Sequence, residues 1–377
     1  MKVEFYKHSV GEEEKNKVLE CLNGIFLTTG SYVSEFEKKL ADYLGLKSAV
    51  GLTSCTSALH LSLLAMGIGP GDEVITTPMT FIATANAIIH TGATPVFIDV
   101  EQETGLINPD LIENAVNEKT KAILPVHLYG QMCDMKKIRS IADKYNLKIV
   151  EDAAHCIEGK RDGVGPGQLG DIACFSFYAT KNITCGEGGA VATNNEELAG
   201  KVRLLRMHGM SKDAADRYTG KYQHWDMLEC GWKYNMSNIQ AAMLLPQLEK
   251  IDDQWEKRDN LYKKYVNCLH EIPAIRYPKI VSDSKSAYHL FTIWVNDGKR
   301  DEILHKLNEA EIGVAVNYRA IHLLTYFKKT FGFNEQDFPL AEEIGNRTIS
   351  LPFYPKLATR NIDYIVSNLR NIISAYK

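Results

Sequence analysis

GDIACFSFYATKNITCGEGGAVAT, residues 170–193, holds two apolar β-rich runs, DIACFSF and GAVAT, parted by a polar loop that carries Lys181 and ends on Gly186-Glu187-Gly188-Gly189. Five similar runs precede it from residue 47 onward: KSAVGL, DEVITTP, PVFIDV, KAILPVHLYG and LKIVEDAA. Stretches of helical period separate them. TSALHLSLLAMGIGPGDEV has apolar residues at helical spacing from Ala58 to Met66 before a Gly-Pro-Gly stop, and PDLIENAVNEKTKAI begins with Pro109, which suits a first helical turn. Strands alternating with helices predict an α/β fold with a mostly parallel, seven-stranded sheet and helices on both faces. In such sheets ligands gather at the carboxyl ends of the strands, which selects the loops 53–57, 78–81, 151–155 and 178–188.

After about residue 250 the pattern changes. NIQAAMLLPQLEKIDDQWEKRDNLYKKYVNCL reads as one long amphipathic helix or two in succession, SAYHLFTIWV as a strand, and DEILHKLNEA and YIVSNLRNIISAY as helices. The expected organisation is a large domain over 1–250, N-terminal segment included, and a smaller α+β domain over 251–377. No internal repeat and no low-complexity linker intervene, so the two parts are expected to pack closely.

The chain has 377 residues, 45% of them hydrophobic, and a formal net charge of -4. Lys and Arg are dispersed, which leaves no electrostatic footprint for nucleic acid or an anionic membrane. No apolar run approaches the ~20 residues a membrane-spanning helix needs, and MKVEFYKHSVGEEEKNK is charged where a signal peptide is apolar, so a cytoplasmic location is expected. Eight scattered cysteines without a CxxC pair suggest reduced thiols and no metal site.

Gly165-Pro166-Gly167-Gln168-Leu169-Gly170 matches a dinucleotide fingerprint in form, but polar EGKRDG precedes it and a strand follows it, the reverse of the context that lets a helix N-terminus hold a pyrophosphate. Thr53-Ser54-Cys55-Thr56-Ser57 lies between a strand and a helix; its hydroxyls and backbone N–H groups suit a phosphate site or ordinary helix capping. Asp152, after the apolar strand LKIV, needs a cationic partner if buried, either a nearby arginine or a ligand. Lys181 is either a solvated charge or, in a drier setting, an amine able to form a Schiff base. A phosphate cradle, a carboxylate for a pyridine nitrogen and an imine-forming lysine are together what pyridoxal phosphate requires, and Phe81 adds an aromatic ring to stack on it.

The chain resembles the DegT/DnrJ/EryC1/StrS family of sugar aminotransferases, with the fold type I of pyridoxal phosphate enzymes. The resemblance runs through TSCTSALHLSLLAMGIGPGDEVITTPMTFIATANAI, PVHLYGQMCDM, IVEDAAHCIEGK, GDIACFSFYATKNITCGEGGAVAT and GWKYNMSNIQAAM, in order along nearly the whole chain. It implies that Lys181 carries the cofactor as a Schiff base and shuttles the proton, and that Asp152 pairs with the pyridinium nitrogen. It also implies that His155 lies beside the ring hydroxyl, that Ser176 and the backbone of Cys55, Thr56 and Ser57 hold the phosphate, and that Phe81 stacks on the ring. Relatives are homodimers with shared sites, where the partner's loop corresponding to Lys233-Tyr234-Asn235 completes the phosphate site. Many carry Asn-Tyr-Arg there; in this departure Asn235 is the residue expected to reach it.

The implied reaction moves an amino group from an amino acid, L-glutamate in most relatives, to a nucleotide-linked keto sugar. VAVNYRAIHLLTYF and YHLFTIWV are similar to members acting on UDP-linked 4-keto-6-deoxy sugars of envelope polysaccharides. Arg319 is the candidate for the diphosphate, flanked by Tyr318 and His322 as further substrate residues, and Thr28 to Tyr32 are expected to cover the site. The alternatives are a 3-keto sugar aminotransferase, a sugar dehydratase, which carries histidine in place of the lysine, and a non-catalytic regulatory protein that binds the cofactor.

Overall fold

The computed structural model describes residues 1–211, 224–295 and 298–375. Its centre is a seven-stranded sheet of β1 (Ser48–Leu52), β2 (Glu73–Thr76), β3 (Thr94–Phe97), β4 (Thr120–Ile123), β5 (Lys148–Asp152), β6 (Ile172–Ser176) and β7 (Gly189–Thr193), in the order β1-β7-β6-β5-β4-β2-β3. Only β7 runs against the rest, pairing antiparallel with both β1 and β6, while the other neighbours pair parallel. All seven strands coincide with the seven apolar runs of the sequence.

Both faces of the sheet are buried, so its strands are continuous apolar runs whose alternate residues serve different layers. Val50, Val74, Val150, Cys174 and Val191 pack with Leu59, Leu61 and Leu63 of the helix Cys55–Ala65. Their neighbours Ala49, Ala173, Phe175 and Ala190 meet Phe36 and Leu40 of the helix Ser31–Leu44 and Leu244 of Asn238–Glu249, and Ile75, Ile123 and Ile149 meet Ile138 on Met135–Tyr145.

The long amphipathic stretch is two helices, Asn238–Glu249 and Ile251–Leu269, which meet at Lys250 with φ −107° and ψ 10°. Beyond them β8 (Ile275–Arg276), β9 (Phe291–Val295) and β10 (Thr348–Leu351) form a three-stranded sheet, and Tyr265, Phe291, Leu351 and Leu369 share a core with Val3 from the other end of the chain. Val3 reaches it by bridging to Ile312. The final helix spans Thr359–Ser374; Tyr376, the last residue of the predicted run, lies outside the described residues.

Two elements are shorter than their patterns predict. The helix expected from Pro109 is a 3-10 turn, Pro109–Leu111, followed by a single turn, Ile112–Ala115. The predicted strand SAYHLFTIWV is extended only from Phe291. Before that, Tyr288 sits at φ 49°, and the N–H groups of Ala287 and His289 donate to Gly130 O (2.7 Å) and Tyr129 O (3.2 Å), which draws the chain away from the sheet.

Candidate active site

The loops that leave β1, β2, β5 and β6 at their carboxyl ends converge on one cavity of about 560 Å³, and the segments around Phe5, His289 and Asn317-Tyr318 close its other side.

The helix Cys55–Ala65 starts at this cavity. Ser54 caps it: Ser54 Oγ accepts from the Ser57 N–H (3.1 Å), and Ser57 Oγ accepts from the Ser54 N–H (3.1 Å). Ser57 is therefore spent on the cap, and the first-turn N–H groups of Cys55 and Thr56, both lining the cavity, are the donors left for an anion. This geometry requires Gly189, since a Cβ there would lie 2.3 Å from the backbone carbon of Ser54. Gly186 meets the other expectation for this glycine run, with φ 84° in open space.

Asp152 ends β5 and is buried. Its Oδ2 accepts from Thr84 Oγ1 (2.8 Å) and its Oδ1 from the Ala154 N–H (3.1 Å). Burial nevertheless holds its carboxyl above the ordinary range, against the pull of those bonds and of Lys181. Its neighbour Glu151 is fully buried and points to the other side, where its Oε1 accepts from the N–H groups of Gly167 (3.0 Å) and Gly170 (2.8 Å) and its Oε2 faces His127 Nε2 (2.7 Å). His127 Nδ1 accepts from the Cys133 N–H, so the proton of this ring is on Nε2, directed at the carboxylate. The glycine-rich match at 165–170 thus cradles an internal carboxylate of the protein and no nucleotide.

Lys181 lies in a loop folded back on itself, with its N–H donating to Tyr178 O (2.9 Å) and the Cys185 N–H donating to Phe177 O (3.1 Å). Burial lowers its amine to about 8, opposed by the neighbouring Cys55 and Asp152. Ser176 and Tyr178 line the same wall. Phe81 is 54% exposed although it lines the cavity, which leaves a ring face free, and its ring lies 5.8 Å from that of Tyr318. His155 is buried beside it: Nδ1 accepts from the Tyr129 N–H (3.3 Å), Nε2 faces the Tyr318 hydroxyl (3.3 Å), and burial keeps the ring neutral.

The cavity therefore gathers Cys55, Thr56, Phe81, Asp152, His155, Ser176, Lys181 and Tyr318. Four other candidates lie outside it. Ser57 is in the cap; Asn235 bridges to Leu52 and donates to Thr29 Oγ1 (2.7 Å); Arg319 is exposed; His322 is buried between Phe338 and Glu342, 3.0 Å from the Glu342 carboxylate. The Thr28–Tyr32 segment packs on Met236 and Asn238, and Phe5 lines the cavity in its place. Thr84 and His289 are site residues that the sequence reading missed. Thr84 carries a faint signal, four residues beyond Thr80 at a helix start, and Thr80 Oγ1 is 2.7 Å from Thr84 Oγ1. His289 carries none, because it sits in a run that reads as strand.

These residues fit pyridoxal phosphate: two free helix N–H groups and a serine for the phosphate, a buried carboxylate lacking a cation, a desolvated amine, and an exposed aromatic face. The pattern of the DegT/DnrJ/EryC1/StrS aminotransferase family matches residues 8–370. The chain belongs to this family. It is 43% identical over 370 residues to the spore coat polysaccharide biosynthesis protein SpsC of Bacillus subtilis, covering 97% of this chain and 95% of that one. Among solved structures, Spr1654 of Streptococcus pneumoniae, described as a sugar aminotransferase and solved in its PMP-form, superposes with a TM-score of 0.93 at 31% identity, covering 98% of both chains. PseC of Helicobacter pylori, an aminotransferase involved in the biosynthesis of pseudoaminic acid, gives 0.93 at 29% identity over 100% of both. The family member described here is thus a pyridoxal-phosphate-dependent aminotransferase of fold type I.

Proposed function

We propose that this aminotransferase transfers the amino group of L-glutamate to a UDP-linked 4-keto-6-deoxy sugar for a cell-envelope polysaccharide. The observation that carries the reading is the pairing, in one cavity, of a desolvated lysine with a buried carboxylate that lacks a cation. The sugar is supported by the relation to SpsC and PseC, and by the aromatic lining of Phe5, Phe81, Tyr178 and Tyr318, which suits a sugar ring.

Each residue's part follows from its chemistry. The N–H groups of Cys55 and Thr56 and the Ser176 hydroxyl hold the phosphate. Asp152 holds a proton on the ring nitrogen, His155 stands beside the ring hydroxyl, and Phe81 covers the ring. Bound pyridoxal phosphate supplies an electron sink for negative charge at the substrate carbon. Lys181 anchors the cofactor and, as a free amine of lowered basicity, takes a proton from the donor's α-carbon and returns it. Tyr318 reaches the sugar, and the exposed Arg319 next to it meets the diphosphate.

The assembly we propose is a homodimer with Asn235 directed to the partner's phosphate site. Exposed apolar side chains support it, Leu19, Leu22 and Ile25 in one segment and Trp225, Met227 and Leu228 in another. Free, mostly buried cysteines fit a reducing cytoplasm, and no helix among the described residues is long and apolar enough to cross a membrane.

Mixing the yellow purified protein with L-glutamate tests the donor: loss of the visible band is expected, and a band unchanged by any amino acid refutes amino transfer. A panel of nucleotide-linked keto sugars, scored by product mass, tests the acceptor; amination of 3-keto sugars alone would replace the 4-keto reading.

A further inference from the structure

Behind Lys181 a line of polar side chains runs inward from the cavity. The Arg258 guanidinium donates to Glu158 Oε1, and Glu158 Oε2 accepts from Asn182 Nδ2 at 2.8 Å. The same Nδ2 donates to Ala287 O at 2.9 Å. Two acceptors around that nitrogen fix the orientation of the amide, so the atom 3.2 Å from His289 Nδ1 is the Asn182 oxygen. An amide oxygen only accepts, which places the His289 proton on Nδ1 and the lone pair on Nε2. Nε2 lies 3.5 Å from Lys181 Nζ, and among the described residues it is the one hydrogen-bond partner of that amine. Such contacts are often long before substrate binds. The ring is buried and packs on His155 with centroids 4.3 Å apart.

We propose that His289 is the positioning residue of the catalytic lysine: its Nε2 accepts a hydrogen bond from the freed Lys181 amine and holds it at one place in the cavity for proton transfer. The inference rests on the reading of Lys181 as the cofactor-bearing lysine. A lysine amine at the end of a four-carbon chain has many rotamers, and a fixed acceptor selects among them. The other titratable groups facing the amine are Cys55 from the helix Cys55–Ala65, Asp152 from β5 and His155 from the loop after it. Arg258, the charged neighbour of His289 on the far side, is engaged by Glu158. Neutral His289 is therefore the acceptor that the lysine meets, and burial together with the Lys181 charge keeps it neutral.

Two substitutions of similar polarity separate positioning from packing. The side-chain amide of His289→Gln reaches the place of Nε2, whereas that of His289→Asn reaches only the place of Nδ1. In the cofactor-free protein, competitive acetylation read by mass spectrometry at the Lys181 peptide gives the apparent pKa of the amine. Loss of an acceptor for a charged donor is expected to lower it by about one unit in His289→Asn. In the loaded enzyme, single-turnover amino transfer from the donor is expected to slow about tenfold or more at unchanged half-saturation. His289→Gln is expected to restore the titration and to bring the rate within about threefold of the parent protein, since the acceptor is retained. Asn182→Ala, which frees Nδ1, is expected to shift the titration in the same direction by less, and it provides the measurement if His289→Asn does not fold. Equal behaviour of the Gln and Asn variants, or a Lys181 titration unmoved in both His289→Asn and Asn182→Ala, overturns the proposal. Lys181→Ala separates the two readings: if it still attaches the cofactor covalently, the role given to Lys181 fails whatever His289 does.

Discussion

Thr84 Oγ1 donates a 2.8 Å hydrogen bond to Asp152 Oδ2, from the first turn of the helix Ile82–His90 to the end of β5. This bond and the Ala154 N–H hold the carboxylate in place, and the Thr84 bond also favours its charged form. Thr84→Val keeps the shape and removes the donor. A hydrogen bond to a charged group contributes about 1.5–3 kcal/mol, so kcat/KM is expected to fall roughly tenfold or more, with its acid limb displaced to higher pH. A pH–rate profile superimposable on that of the parent protein would count against this role.

Replacing Asp152 with Asn removes the charge that keeps the ring nitrogen protonated. Turnover is expected to drop by about two orders of magnitude or more, while the cofactor still binds through its phosphate and Lys181. Steady-state kinetics together with the visible spectrum of the variant test this, and unchanged turnover would refute the pairing.

Lys181 gives the cofactor-free protein a distinctive pH response. Its amine is lowered from 10.5 to about 8, so between those values the unfolded chain binds a proton that the folded chain has lost. Stability is therefore penalised in full below about pH 8 and recovers as pH rises towards 10.5, by at most on the order of 3 kcal/mol. The raised carboxyl of Asp152 works in the opposite sense and lower on the scale, where stability falls as pH climbs through the carboxylate range. In Lys181→Met the alkaline recovery is expected to disappear from urea unfolding measured between pH 7.5 and 10; its persistence would show that the amine is not desolvated.

Glu151 offers a test of the scaffold. Glu151→Ala leaves the N–H groups of Gly167 and Gly170 and the ring of His127 without their acceptor in a fully buried place. Removing one partner of such a buried network costs about 3–5 kcal/mol. Chemical denaturation is expected to show that loss, accompanied by weaker cofactor retention because β5 carries Asp152 next to it. A loss under about 1 kcal/mol would mean that the cradle is not a source of stability.

The strand ends were the legible part of the site. Lys181, Asp152, Phe81 and the hydroxyl-rich turn at 53–57 each follow an apolar run directly, so their convergence is a consequence of parallel pairing alone. His289 and Tyr318 come from segments held by irregular contacts, the former by hydrogen bonds to the backbone of Tyr129 and Gly130 through its neighbours, and no periodicity encodes these. His322 and Arg319 show the same gap from the other direction: within a few residues of Tyr318, one turns into a buried pair with Glu342 and the other into solvent. The helix expected after Pro109 breaks off at Ala115, since Val116 already has an extended backbone, ψ 130°.

The antiparallel course of β7 joins two parts of the site mechanically. The chain leaves β6 into the Lys181 loop and returns through Gly189, which lies against the backbone of Ser54 at the head of the phosphate cradle. Anchor lysine and cradle are thus riveted to adjacent rungs of one ladder and form a fixed jaw. Any widening of the cavity to admit a sugar or release a product falls to the opposing jaw of Phe5, His289, Asn317 and Tyr318, all from segments outside that ladder.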